Sequence, residues 1–217
     1  MHVPDGFLDP ATSVATAAVA AAGVAVALRG ARRELDERTA PMAGLTAAFV
    51  FAVQMMNFPV AAGTSGHLIG GALTAVLVGP WTAVLCMTVV LLVQAVVFAD
   101  GGLTALGTNT TLMALVSVAV GYGVFRGLAA VLPRTRIGLL VSAGVGAFLS
   151  VPVAALVFAG LFAVGGVADV AVGTVALTMG AVHLLIGLGE AAITVAVASS
   201  PTFFRIASVP LPNSRAM

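Results

Sequence analysis

A free amine at Met1 followed at once by His2 offers a metal ion three nitrogens in fixed order. These are the Met1 amine, the backbone nitrogen of His2 once it loses its proton, and Nδ1 of the His2 imidazole. Binding through them closes a five-membered and then a six-membered ring. A further imidazole completes a square-planar set of four nitrogens, a geometry suited to Ni(II) or Cu(II), and by extension to low-spin Co(II). Calcium and magnesium prefer oxygen ligands, and zinc prefers a tetrahedron. His67 is one of two other histidines and sits in Gly63-Thr64-Ser65-Gly66-His67, whose glycines let backbone approach an ion closely. Pro4-Asp5-Gly6 is turn chemistry that folds the terminus back onto the protein. A bulky residue at position 2 is expected to preserve the initiator methionine.

The elements that must position these groups are membrane helices. Of 217 residues, 60% are hydrophobic and only 8% charged, and mean hydropathy is +1.16. So few charges cannot cover a water-soluble domain. Seven apolar segments are predicted, at about 11–29, 41–58, 66–79, 81–99, 103–125, 137–164 and 170–200, the third short for a full crossing. The fold class is all-α, a polytopic single domain over 1–217 with the N-terminus folded into the bundle. Asp9-Pro10 marks the first helix start; Pro41, Gly79-Pro80, Asp100-Gly101-Gly102 and Pro133 separate later segments. No removable signal peptide is expected, because no basic stretch precedes a short apolar core.

Positive residues gather on the cytoplasmic side of membrane proteins. With the N-terminus outside, all nine basic residues fall inside: Arg29, Arg32, Arg33, Arg38, Arg126, Arg134, Arg136, Arg205 and Arg215. Asp5, Asp9, Asp100 and Asp169 fall outside. Gln54, Asn57, Gln94, Thr108, Asn109 and Thr110 then lie near outer helix ends, beside Thr64, Ser65, His67 and Asp100, which predicts a polar pocket at the outer face. His183 and Glu190 share a face of the last helix at depths of about 18 and 28 Å, too deep to reach an outer pocket. His183 reads as a structural, hydrogen-bonded residue, and Glu190 as serving helix packing or subunit coupling. Cys86 reads as a small buried hydrophobe. The alanine-rich first helix is a packing surface, for its own bundle or for a partner.

Met1-His2-Val3-Pro4-Asp5-Gly6-Phe7-Leu8, Asn57-Phe58-Pro59-Val60, Gly63 to Leu68 with Gly70-Gly71, Phe98 to Gly102, and His183 through Glu190 together resemble the CbiM/NikM family over nearly the whole chain. These are substrate-specific components of energy-coupling factor transporters for cobalt and nickel. The resemblance implies Met1, His2 and His67 as ligands of Co2+ or Ni2+. Asp5, Asn57, Thr64, Ser65, Asp100 and Asn109 would orient them. It further implies a transmembrane coupling subunit, cytosolic ATPases, a small accessory membrane protein, and residence in a bacterial inner membrane. The accessory module fused to some relatives is not expected here, since the chain ends soon after its last helix. A chain without lysine or a phosphate loop needs partners to hydrolyse ATP. Cobalt and nickel stay undecided; neighbouring cobalamin-synthesis genes would favour cobalt. An enzyme is disfavoured, because Gly-Thr-Ser-Gly-His is not a nucleophile elbow and no His-Glu-x-x-His occurs. A self-sufficient channel or ion-coupled carrier would share the topology. Neither nucleic acid nor an acidic partner is implied by a net charge of +1.

Overall fold

In a computed structural model, residues 1–37, 39–59 and 65–200 are described. Among them are seven helices: α1 Pro10–Ala31, α2 Thr39–Gln54, α3 Gly71–Val78, α4 Pro80–Val97, α5 Leu106–Val131, α6 Arg136–Gly165 and α7 Val172–Ala198. Five of these are long and apolar enough to cross a membrane, while α2 is shorter and α3 has only eight residues. A small antiparallel hairpin joins α2 to α3, pairing β1 (Phe58–Pro59) with β2 (Ser65–Gly66). Thr64, Arg38, Arg205 and Arg215 lie outside the described residues.

Local chemistry explains the helix starts. The Asp9 carboxylate accepts from the Thr12 backbone N–H at 2.6 Å with Pro10 in the first turn, and Thr135 caps α6 by accepting from Gly138 N–H at 3.1 Å. One predicted segment is corrected: 66–79 is helical only from Gly71. Gly70 adopts φ +82, a left-handed conformation that ends the extended stretch carrying His67 and turns the chain into α3.

The helices alternate in direction and divide the charges between two ends. At one end, Glu34 accepts from the Thr82 N–H at 2.7 Å, and Arg136 donates to the Ser199 carbonyl at 2.5 Å. At the other, Asp9 N–H donates to the Gly165 carbonyl at 2.7 Å, tying the start of α1 to the end of α6. The alanine face of α1 packs internally: Thr16, Ala20 and Ala27 are buried, and Gly107 of α5 approaches the backbone of Ala17. Val14, Val19 and Leu28 of the same helix are exposed, as suits a lipid-facing surface.

Candidate metal centre

The first nine residues run into the bundle. Met1, His2 and Val3 are all but inaccessible, at 1%, 4% and 1% exposure. Val3 is held at both backbone groups: its N–H donates to Asn109 Oδ1 at 2.8 Å, and its carbonyl accepts from Asn109 Nδ2 at 3.1 Å and Gly102 N–H at 3.0 Å. Asp5 accepts from both the backbone N–H and the hydroxyl of Thr104, at 2.7 and 2.5 Å. Phe7 packs against Phe162 and Phe158 with ring centroids 5.1 and 5.8 Å away. The Val3 N–H and carbonyl, both buried, would otherwise be stranded in an apolar setting.

This docking carries His2 to His67. The two ring centroids are 4.6 Å apart with planes inclined by 37°. The Nδ1 of His67 donates to its neighbour's carbonyl, Leu68 O, at 2.8 Å, which sets the tautomer and leaves the Nε2 lone pair free. That Nε2 is buried and has no hydrogen-bond partner in the protein. Asp100 Oδ2 lies 3.8 Å from His2 Nε2 and accepts from Asn57 Nδ2 at 3.1 Å. Gly101, at φ +88, passes so close that a methyl group on it would sit 2.7 Å from His2 Nδ1.

Burial keeps the nitrogens neutral. It pushes the Met1 amine well below its ordinary value of 8.0, against a smaller upward pull from Asp100. His2 is lowered to about 3, by burial and then by repulsion from the amine. His67 is lowered by burial, next by the amine and His2, and slightly by His183. Burial raises Asp100, with Asn57 and the amine opposing it. The folded terminus therefore binds fewer protons than an undocked one, and docking strengthens with rising pH until the free groups also lose their protons. Docking should be complete above about pH 8 and weaken as pH falls through 8.0 and then 6.5, the ordinary values of amine and imidazole. Hydrogen exchange at the Val3 amide of the metal-free protein measures this. Protection that is constant from pH 8 to 5, after correction for intrinsic exchange, would contradict it.

Of the sequence candidates, the structure brings Met1, His2, His67, Asp100 and Asn109 together; Asn57 reaches the site through Asp100, and Asp5 anchors the turn leading into it. Ser65 lies in β2, two residues before His67, its buried hydroxyl without a partner. Glu190, read as too deep for an outer pocket, bonds to the stretch that follows His67. Glu190 accepts from the Ile69 and Gly70 N–H groups at 2.8 and 2.5 Å, and β2 packs on α7. His183, fully buried, donates from Nδ1 to the Met179 carbonyl at 2.8 Å and keeps a buried, unpartnered Nε2.

The family profile described as cobalt uptake substrate-specific transmembrane region matches residues 2–202. The chain belongs to this family. A Haloquadratum walsbyi protein named for metal transport is 39% identical over 211 residues, covering 91% of this chain and 88% of that one. The fused nickel transport protein NikMN of Rhodobacter capsulatus is 40% identical over 168 residues, covering 76% of this chain; the match spans 47% of that longer protein. The crystal structure of a truncated transition metal transporter superposes with a TM-score of 0.82 at 31% identity, covering 95% of this chain and 99% of that one. As a member of the cobalt-uptake family with five helices of spanning length, this chain is a multi-pass membrane transport component.

Proposed function

We propose that the chain is the substrate-binding membrane subunit of an ATP-driven importer of cobalt or nickel ions, acting as one domain. The ion is held by the Met1 amine, the deprotonated His2 amide, His2 Nδ1 and His67 Nε2 in a square plane. The observation that carries this reading is the pair of buried, neutral imidazoles 4.6 Å apart beside a buried amine, with His67 Nε2 unpartnered. A buried polar nitrogen left without a partner costs about 1–3 kcal/mol, an expense that a metal bond removes. Among the described residues no group of three or more His, Cys, Asp or Glu side chains is placed to hold an ion. Two imidazoles alone make a weak site, so main-chain nitrogens must complete it.

The end that holds the site faces outward, because the opposite end carries Arg29, Arg32, Arg33, Arg134 and Arg136. Energy comes from partner chains: a transmembrane coupling subunit, cytosolic ATPases and an accessory membrane protein. The fused architecture of the Rhodobacter relative supports at least one further module working beside this one.

Because the amine and imidazoles are already neutral in the docked state, only the His2 amide has a proton to lose on binding. Titration of the purified protein with Ni(II) in buffers of differing ionisation heat should give about one ion per chain, a square-planar absorption band, and release of about one proton. Binding without proton release would rule out the amide nitrogen as a ligand.

A further inference from the structure

The His67 strand needs an explanation beyond the hairpin. Irregular backbone at membrane depth survives only where its N–H and C=O groups find partners inside the protein. In the stretch from His67 to Gly70, the Ile69 carbonyl accepts from Gln54 Nε2 at 2.5 Å, and the N–H groups of Ile69 and Gly70 both point at Glu190. Glu190 is only 3% exposed, and Val50, Leu68, Leu73 and Ile193 line the space around it. An ionisable side chain is costly there unless its oxygens are used, and here each oxygen accepts one backbone N–H. Gly70 tolerates this arrangement because its φ is +82 and because a methyl group on it would meet Val50 at 2.8 Å.

We propose that Glu190 is a positioning residue for the metal site: through the Ile69 and Gly70 N–H groups it fixes the strand that presents His67 Nε2, and so ties the fourth nitrogen to α7. The inference rests on His67 being a ligand. It adds that the ligand's place is set by a helix on the far side of the chain, 121 residues away from Ile69. Glu190 lies about 27 Å along α7 from its first residue, towards the arginine-bearing end. The three nitrogens of the terminus are anchored separately, through Asn109 and Thr104.

Glu190→Gln keeps the volume and one acceptor, but it turns an NH2 towards a backbone N–H. It should weaken Ni(II) binding about 10- to 100-fold, the range seen when groups that orient metal ligands are removed. The test is a cycle with His67→Ala, read by calorimetric titration and by the square-planar absorption band, with metal-free melting as the check on fold. In the His67→Ala background, Glu190→Gln should change the residual affinity less than about threefold, because no fourth nitrogen remains to position. Equal losses in both backgrounds, or no loss beside native His67, would overturn the proposal. A Glu190→Gln chain that no longer folds without metal overturns it too, since the carboxylate would then hold the bundle rather than one ligand. If His67→Ala itself binds like the parent, the reading of the site fails and this inference with it.

Discussion

Placing two residues ahead of Met1 is expected to lower Ni(II) and Co(II) affinity by at least about 100-fold, or ~2.7 kcal/mol, while leaving the bundle folded. The argument is both chemical and steric. An extension turns the terminal amine into an amide and destroys the five-membered ring that pairs it with the His2 nitrogen. Met1 is 1% exposed, so added residues have nowhere to go unless the segment undocks, and undocking separates His2 from His67. A one-residue extension is a poorer test, because an amine with histidine in the third position makes a four-nitrogen chelate by itself. Two residues remove that escape. Calorimetric titration checks the prediction, with the terminus verified by intact mass and the fold by metal-free melting. Unchanged affinity in a chain shown to carry the extension would remove Met1 from the ligand set, and the search would turn to His67, His183 and Asp100.

The helices were legible because hydropathy is a strong signal over spans of this length. Segments 11–29 and 137–164 emerge as Pro10–Ala31 and Arg136–Gly165. The third segment was not, because Leu68 and Ile69 are as apolar as the helix that follows, and hydropathy does not report that Gly70 turns left-handed between them. The terminus, His67, Asp100 and Asn109 could be grouped in advance, since polar residues at helix ends in an apolar chain have few places to be. Glu190 could not be linked to the His67 stretch by depth, because depth was measured along α7 while residues 67–70 were read as part of a helix. A signal was nevertheless present. A carboxylate in the middle of an apolar helix needs a partner, and a short, glycine-bounded stretch before an eight-residue helix has N–H groups that need acceptors. Pairing those two deficits would have brought Glu190 to Ile69 and Gly70, a contact between distant positions that no local pattern records.

The same reasoning sets apart the role of His67 from those of the other buried histidines. His67→Ala should lower metal affinity by about 100-fold or more, since it removes one of four metal bonds and opens the square plane to water. Its effect on the metal-free protein should be small. The lost imidazole gives up packing and the bond to Leu68 O, but it also removes an unpartnered buried nitrogen that costs about 1–3 kcal/mol. A side chain kept for structure behaves in the opposite way, with stability falling and affinity following. Comparing metal-free melting temperature with Ni(II) affinity for His67→Ala and His183→Ala therefore separates the two roles. If His67→Ala melts far below the parent and keeps its affinity, the imidazole is holding the hairpin, and the fourth nitrogen must be sought at His183.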